Sequence, residues 1–317
     1  MEEQWTEKYR PDSFEEIFGH KKVLQKLETY VGEGSMPHLM FVGQSGVGKT
    51  TAAMALAKEI YGGNWDANFI ELTSSRERGI NAIRDEVKEK ARSRSLTEKD
   101  FRIIYMDDAQ DLTDSAQAAF RRMMENFSEN VRFILSCTSL SKIIDPLQSR
   151  CAMFRFHPIS KDNIERWIRT IEQKEGLKID QNAIKVLSRV SKGNLKEATN
   201  LLQIAASMGE EIDEEMVKSA IKETTRADIK GIILRAQNGD FMDVREELYD
   251  LLIEEGYSAE RVLKMIYRDI DNLPMDKEKR KRIAIELGDV DFDIVRGSKS
   301  RLHIQRLLAF FATLKDN

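Results

Sequence analysis

Residues 43–50 read Gly43-Gln44-Ser45-Gly46-Val47-Gly48-Lys49-Thr50, and this stretch decides the fold. It fits the pattern G-x-x-x-x-G-K-[ST]. The preceding residues 38–42 are mostly apolar and predict a buried strand, whereas residues 51–58 are rich in helix formers. A glycine loop between a strand and a helix lets backbone N–H groups and the positive end of the helix dipole surround an anion. A chance glycine-rich turn would lack one or both flanks, so we predict a binding loop for a nucleoside triphosphate.

Two side chains at the end of this loop have predicted roles. Lys49 would reach the β- and γ-phosphates, and the Thr50 hydroxyl would ligate Mg²⁺. The backbone of residues 43–48 would supply the remaining phosphate contacts.

Length and composition limit the class of protein. With 317 residues and 41% hydrophobic content the chain can form two or three domains with real cores. We expect no transmembrane helix and no signal peptide, because there is no long apolar run and the N-terminus is acidic. Two cysteines, Cys137 and Cys151, predict a reducing compartment, and we expect a cytoplasmic location, or a nuclear one in a eukaryote. A net charge of −4 means that any DNA contact must come from a local basic patch.

Strand and helix patterns alternate through the first half of the chain. Strands are predicted at 38–42, 69–73, 101–106, 131–137 and 152–156, and helices at about 20–32, 79–92 and 113–126. This alternation predicts an α/β fold with a five-stranded parallel sheet covered on both faces and a ligand site at the carboxyl ends of the strands. Residues 5–11 are predicted to be an extended lead-in. After Pro158 only helical periodicity remains, with breaks at several glycines that include Gly288, and a further boundary is predicted near residue 224.

Polar residues end two of the predicted strands. Asp107 and Asp108 end the third strand, where a carboxylate next to a phosphate loop is expected to bind Mg²⁺. We assign Asp107 to the metal, and Asp108 to orienting and deprotonating the attacking water. Thr138 ends the fourth strand and is a candidate contact to the γ-phosphate or the water, although an ordinary strand-end threonine is an equal alternative.

A row of basic residues marks the predicted helix at 79–92. Arg84, Lys88 and Arg92 are spaced four residues apart on one face, beside an apolar stripe. Such a row can contact phosphates along a nucleic acid duplex, but the pattern alone favours a solvated helix face.

Several further motifs together resemble one family. These are Trp5-x-Glu7-Lys8-Tyr9-Arg10-Pro11, Pro37-His38, Glu77-Arg78-Gly79-Ile80, Gln117-Ala118-Ala119-Phe120-Arg121-Arg122-Met123-Met124-Glu125 and Ser149-Arg150-Cys151. They resemble motifs of the small subunits of replication factor C, the sliding-clamp loader, and the short chain looks archaeal. The likeness runs from about residue 5 to the C-terminus.

The resemblance implies an architecture and a set of partners. The chain would hold an AAA+ nucleotide-binding core at 1–158, a small helical lid at 159–224 and an all-α collar for oligomerisation at 225–317. ATP and Mg²⁺ would be bound between core and lid. The collar would assemble a ring with a large subunit and other small subunits, which loads the sliding clamp onto primer-template DNA without contacting a membrane.

The resemblance also implies roles for individual residues. Tyr9, Arg10 and Pro11 fall where the family holds the base, and Arg150 falls on the arginine finger that reaches a neighbour's γ-phosphate. The residues on the helix that tracks duplex DNA are Arg78, Arg84 and Lys88.

Three motifs depart from the family pattern. The D-E-A-D motif becomes Asp107-Asp108-Ala109-Gln110, the usual strand-end asparagine becomes Thr138, and the lid's G-D-x-R becomes Gly193-Asn194-Leu195-Lys196. Asp108 is one methylene shorter than glutamate, and a misplacement of ~1 Å can cost on the order of 100-fold in rate. Lys196 keeps a charge near the phosphates but lacks the planar fork of arginine. We therefore expect ATP binding with weak hydrolysis, as in a second, divergent type of small subunit.

Three alternatives stay open from the sequence. The chain can be a fully active clamp-loader ATPase, with Asp108 repositioned by the local backbone. A ring helicase or remodelling motor ranks lower, since we identify neither a winged-helix nor a pore-loop signal. A small-molecule kinase explains neither the finger motif nor the long helical second half.

Overall fold

The computed structural model describes residues 3–73, 87, 101–224, 229–253, 257–270, 276–296 and 300–314. The chain divides into two compact units, Met1–Ile221 and Lys222–Asn317. The predicted DNA contacts Arg78, Arg84 and Lys88 lie outside the described residues. The three-part division at 158 and 224 stays a prediction.

A five-stranded parallel sheet forms the centre of the first unit, as the alternating pattern predicted. Its strands are β1 (Leu39–Val42), β2 (Phe69–Thr73), β3 (Arg102–Asp107), β4 (Val131–Cys137) and β5 (Ala152–Arg155). Their spatial order is β2-β3-β4-β1-β5, so β1 lies between β4 and β5. Because all strands run the same way, the phosphate loop after β1 and the carboxylates after β3 meet at one edge.

Both faces of this sheet are buried. On β1, Leu39 and Phe41 join one hydrophobic cluster and Met40 joins another. Because successive side chains of a strand point to opposite faces, the two clusters cover the two sides of the sheet. On β3 the same alternation places Tyr105 in the first cluster and Met106 in the second.

Ten α-helices whose bounds the structure describes begin in the first unit, and the last of them ends just beyond its boundary. They are α1 (Trp5–Lys8), α2 (Lys21–Glu33), α3 (Lys49–Tyr61), α4 (Trp65–Asn68), α5 (Asp114–Asn126), α6 (Asp145–Gln148), α7 (Lys161–Glu175), α8 (Gln181–Val190), α9 (Leu195–Ala206) and α10 (Glu214–Thr224). Five of them begin after a residue whose side-chain oxygen accepts a bond from a first-turn N–H group, namely Thr113, Ser160, Asp180, Asn194 and Asp213. Such caps satisfy donors that have no partner within the helix.

Two expectations for this unit were wrong. Residues 5–8 form the one-turn helix α1 rather than an extended lead-in, and its first amide, Trp5 N–H, donates to Gln203 Oε1 at 3.0 Å. The region after Pro158 also contains a short parallel strand pair, β6 (Lys178–Ile179) and β7 (Glu211–Ile212). Strands of two residues are too short to show an alternating pattern, so no periodicity indicated them.

All regular secondary structure described in the second unit is helical, and this unit has its own hydrophobic core. Its helices are α11 (Ile229–Asn238), α12 (Phe241–Ile253), α13 (Ala259–Asp269), α14 (Lys277–Val295) and α15 (Ser300–Thr313). The break expected at Gly288 is wrong, because this glycine lies inside α14. One glycine costs a helix only about 1 kcal/mol, which core packing along a long helix can offset. No described helix of either unit has the length and hydropathy required to cross a bilayer.

Candidate nucleotide-binding site

The loop between β1 and α3 has the backbone that its glycines predicted. Gly46 and Gly48 have φ values of +70° and +98°, in a backbone region that residues with a side chain rarely adopt. A Cβ at Gly43 would lie 2.3 Å from the carbonyl oxygen of Phe156. The loop therefore needs glycine at these positions, either for its conformation or for close packing.

Lys49 lies buried within this loop. Its Nζ donates to the carbonyl oxygens of Gly43 and Gln44, each at 2.8 Å. Burial lowers the pKa of the Lys49 ammonium, while the carboxylates of Asp107 and Asp108 act in the opposite direction. The lysine thus lies within the electrostatic influence of both carboxylates, which fits its predicted role beside the phosphates.

A cavity of about 310 Å³ opens beside the loop and is enclosed by four parts of the first unit. These are the N-terminal segment, the phosphate loop, the ends of β2 and β3, and helices α7 and α9. Most of the predicted ligand-binding residues meet here. The lining includes Tyr9, Arg10, Pro11, Ser45, Gly46, Val47, Gly48, Lys49, Thr50, Asp107, Asp108 and Lys196.

The N-terminal wall of the cavity is attached to α7 as well as to the core. Lys8 Nζ lies 2.7 Å from Glu175 Oε1, and the Tyr9 hydroxyl also donates to this oxygen. Although burial acts to raise the pKa of Glu175, the hydrogen bonds from Lys8 and Tyr9 hold it below its ordinary value. On the core side, Arg10 Nη1 lies 2.8 Å from the sulfur of Met54. The Tyr9 hydroxyl is therefore already engaged by Glu175, although the residue lines the cavity.

Helix α9 contacts the phosphate loop directly. The Leu195 N–H group donates to the Gly46 carbonyl at 3.0 Å, so the loop satisfies one of the first amides of the helix. A Cβ at Gly46 would lie 1.8 Å from Oδ1 of Asn194, the residue that caps α9. Lys196, in the first turn of the same helix, lines the cavity.

The two predicted metal ligands are linked through a third side chain. Thr50 Oγ1 lies 2.8 Å from the Tyr105 hydroxyl, which donates to Asp107 Oδ1 at 3.0 Å. Ser136 Oγ donates to the same carboxylate oxygen at 2.5 Å. Burial raises the pKa of the Tyr105 phenol well above its usual range, and Asp107 adds to this effect.

These oxygen donors suit Mg²⁺, which prefers oxygen ligands and usually takes one or two from the protein and the rest from phosphates and water. Within the described residues no group of three or more His, Cys, Asp or Glu side chains could hold a metal ion. Binding of Mg²⁺ by Thr50 and Asp107 together with the phosphates stays a prediction.

Asp108 has an unusual backbone and a side-chain partner that the sequence did not suggest. Its φ is +50°, and Gln110 Nε2 donates to its Oδ1 at 3.0 Å. The amide oxygen of Gln110 in turn accepts from the Thr138 N–H group at 3.1 Å. Gln110 thus connects the predicted water-activating carboxylate to the end of β4. Thr138 itself is exposed and lies outside the cavity lining.

Arg150 also lies outside the cavity of its own chain. It follows α6, and half of its side chain is exposed, at 50%. Its Nη2 lies 2.8 Å from Glu125 Oε1, which also pairs with Arg121 at 3.0 Å. The arginine is therefore held at the surface by a carboxylate that it shares with a second arginine.

Sequence reasoning missed several residues of the site. Tyr105 and Gln110 carry the contacts described above, and Glu7 and Glu71 line the cavity. The position of Tyr105 gave a usable signal, because a hydroxyl two residues before Asp107 shares its face of the strand. Burial, and then Asp107, raise the pKa of Glu71.

Two histidines and both cysteines of the first unit have structural surroundings. His20 Nε2 lies 2.9 Å from the Val47 carbonyl, and His38 Nδ1 accepts from the Phe133 N–H group at 3.1 Å. Burial raises the pKa of the Cys137 thiol to about 11 and that of Cys151 to about 12. Both thiols therefore stay protonated and unreactive near neutral pH.

Comparison with known proteins matches the chain to two family models. Residues 39–159 match the ATPase family associated with various cellular activities (AAA), and residues 224–310 match the replication factor C C-terminal domain. The replication factor C small subunit of Methanococcus maripaludis is 42% identical over 315 residues, covering 99% of this chain and all of the relative. The small subunit of Archaeoglobus fulgidus is 40% identical, with 98% of each chain covered.

Among solved structures, the Thermotoga maritima RuvB Holliday junction branch migration motor superposes with a TM-score of 0.58. The superposition covers 77% of this chain and 87% of the RuvB chain, at 17% sequence identity. A likeness at that identity supports the fold alone.

Proposed function

The chain belongs to the replication factor C small-subunit family, and we propose that it is a clamp-loader subunit that binds Mg-ATP, hydrolyses it slowly and supplies Arg150 to a neighbour's site. Its partners would be the large subunit, other small subunits, the sliding clamp and primer-template DNA. The observation that carries the proposal is that Arg150 lies at the surface, outside the cavity of its own chain.

ATP binding is supported by the phosphate loop and by the cavity that surrounds it. Lys49 is buried beside two carboxylates, Tyr9 and Arg10 line the far wall, and Lys196 approaches from α9. Mg²⁺, when bound, would neutralise phosphate charge and align the terminal phosphoryl group. The chain's own part is to hold that group with the loop amides and Lys49, while Thr50 and Asp107 fix its position.

Slow hydrolysis is supported by the surroundings of Asp108. The aspartate is one methylene shorter than glutamate, and Gln110 donates to one of its oxygens. This hydrogen bond restricts the rotation of the carboxylate, and the shorter side chain holds it further from the phosphoryl group. The loss expected from a misplacement of ~1 Å is on the order of 100-fold. Together with Thr138 and Lys196, this supports a divergent small subunit that works beside a more typical one.

Donation of an arginine finger is supported by the setting of Arg150. Its ion pair with Glu125 is half-exposed, and exposed pairs contribute only about 0–1 kcal/mol, so leaving it costs little. A finger supplied to a neighbouring site can raise the rate of phosphoryl transfer by about 10³–10⁵. The gain in the neighbour's site would therefore far exceed the cost of breaking the pair.

A second candidate is a fully active ATPase subunit. The observation that favours it is the positive φ of Asp108, which turns the backbone and can redirect the short side chain toward the phosphates. The two candidates differ in which site of the ring loses turnover when this chain is altered.

The deciding experiment compares Lys49→Ala with Arg150→Ala in the reconstituted ring, with ATP turnover measured in the presence of DNA and clamp. As a slow subunit that donates its arginine, the chain should tolerate Lys49→Ala far better than Arg150→Ala. Arg121→Ala is the matched control, because Arg121 pairs with the same Glu125, and it should leave turnover near normal. Ring assembly is checked by size measurement for each variant. Loss of turnover in Lys49→Ala with near-normal turnover in Arg150→Ala would establish the fully active alternative.

A further inference from the structure

We propose that Tyr105 is a positioning residue that orients the two side chains assigned to Mg²⁺, Thr50 and Asp107. This inference rests on the proposed binding of Mg-ATP. It goes beyond that function by naming the residue that makes nucleotide affinity depend on Mg²⁺.

The Tyr105 ring holds its hydroxyl at one fixed point. The side chain is fully buried on β3, and its ring stacks on Phe69 with 5.9 Å between centroids and 21° between planes. A packed ring of this kind has few alternative rotamers, because interiors are close-packed. The hydroxyl therefore stays 2.8 Å from Thr50 Oγ1 and 3.0 Å from Asp107 Oδ1.

The direction of each hydrogen bond follows from the number of protons. The Tyr105 hydroxyl carries one proton, which it donates to Asp107 Oδ1. In the 2.8 Å contact with Thr50, the tyrosine oxygen must then be the acceptor and the threonine hydroxyl the donor. The Thr50 proton therefore points into the core, so that the oxygen lone pairs face away from Tyr105 toward the cavity.

This arrangement is what a hydroxyl needs in order to bind a cation. A hydroxyl that ligates a metal through a lone pair must send its proton to an acceptor elsewhere, and Tyr105 is that acceptor. On the other side, Tyr105 and Ser136 both donate to Oδ1 of Asp107, which fixes the rotation of the carboxylate. We assign the oxygen that neither hydroxyl engages, Oδ2, to the cation or its water ligands.

A second buried tyrosine, at the end of α3, shows what a purely structural hydroxyl does in the same core. The Tyr61 hydroxyl donates to the backbone carbonyl of Phe101 at 2.9 Å. It is buried in the same hydrophobic cluster as Tyr105. Tyr105 differs because its hydroxyl bonds side chains assigned to the metal. Tyr61→Phe is therefore a matched control for Tyr105→Phe.

The test measures ATP affinity of the full chain by titration calorimetry, once with Mg²⁺ and once with EDTA. The dissociation constant in EDTA divided by the dissociation constant in Mg²⁺ reports how much Mg²⁺ strengthens binding, without any turnover. Tyr105→Phe should lower this ratio about tenfold, as expected for removing a bond to a charged group. It should leave affinity in EDTA within about twofold, and Tyr61→Phe should leave both values unchanged. Ser136→Ala removes only one donor to Asp107, so it should lower the ratio less than Tyr105→Phe.

The outcomes separate this inference from the proposed function. A wild-type chain that binds no ATP under either condition would end the proposed function and the inference with it. Wild-type binding with an unchanged ratio in Tyr105→Phe would overturn the inference alone. Equal losses with Mg²⁺ and EDTA would also overturn it, since Tyr105 would then be merely structural. If Tyr105→Phe does not fold, Ser136→Ala decides, because an unchanged ratio there would show that the hydroxyls do not tune the metal site.

Discussion

Replacement of Gly46 by alanine tests the contact between the phosphate loop and α9. The new methyl group would meet Asn194 Oδ1 at 1.8 Å, at a residue with a φ of +70°. Because atoms cannot approach this closely, the Asn194 side chain has to leave its position. In doing so it gives up its hydrogen bond to the Glu197 N–H group, now 3.0 Å long, which caps α9.

Two costs add up in this variant. A left-handed alanine costs roughly 1–2 kcal/mol, and loss of an asparagine cap typically costs about 1 kcal/mol. We therefore expect a total loss of about 2–3 kcal/mol in the free energy of unfolding of the first unit. For a unit of this size the loss corresponds to a decrease of roughly 5–10 °C in the unfolding midpoint.

Tryptophan fluorescence during thermal and urea denaturation follows the first unit selectively. All three tryptophans, Trp5, Trp65 and Trp167, lie within it. The matched control is Gly176→Ala, where φ is +68° and no atom lies within 4 Å of the new Cβ. That control should show only the backbone cost of roughly 1–2 kcal/mol.

A double-mutant cycle isolates the contact itself. In an Asn194→Ala background the clash and the cap are both absent, so Gly46→Ala should cost about 1 kcal/mol less than in the wild type. If Gly46→Ala costs the same in both backgrounds and no more than Gly176→Ala, the Asn194 side chain does not pack against Gly46 and the reasoning is refuted.

Three further predictions concern other parts of the chain. Burial, with a contribution from Arg132, lowers the pKa of His38 from 6.5 to about 4, so the folded state binds fewer protons than the unfolded state between these values. The contribution of His38 to the free energy of unfolding is therefore fully present above pH 6.5 and is lost as the pH is lowered through this window, by about 2 kcal/mol between pH 7 and pH 5. In urea denaturation, the free energy of unfolding of His38→Gln should lack this dependence on pH. An unchanged dependence on pH in that variant would contradict the prediction. Asp108→Glu should raise phosphate release at this chain's site by up to about 100-fold, measured in rings whose other sites are inactivated, and no gain would show that distance is not the defect. Arg84→Ala with Lys88→Ala should weaken DNA binding about equally across sequences and reduce the salt slope by about one for each phosphate neutralised in the wild type, whereas an unchanged slope would assign both residues to a solvated helix face.

The alternating pattern of the first half was enough to predict the sheet. β2 and β4 have the predicted bounds, and the other three strands differ by one residue at one or both ends. These strands are buried on both faces and are therefore continuous apolar runs that stand out from the helical patterns between them. The short pair β6 and β7 and the single turn α1 left no such signal, because too few residues form them for any periodicity to appear.

Residues of the candidate site could be predicted only where a short, continuous stretch of sequence shows their role. The spacing of Gly43, Gly48, Lys49 and Thr50 is sufficient by itself, because the loop, its glycines and its lysine act within eight consecutive residues. Asp107 was found in the same way, from its position at the end of an apolar strand. Gln110 was missed as a partner, because its amide joins Asp108 to Thr138, which follows a different strand.

The sequence by itself therefore determined the α/β class, the phosphate loop and the family, since each depends on local periodicity or on a contiguous motif. The tertiary structure alone decided which side chains meet. Thr50, Tyr105 and Asp107 are linked because the strand order brings α3 over β3, and the Ser136 bond depends on β3 lying beside β4. Hydrogen bonds need donors and acceptors within about 3 Å of each other, and residues tens of positions apart reach that distance only through the packing of the whole unit.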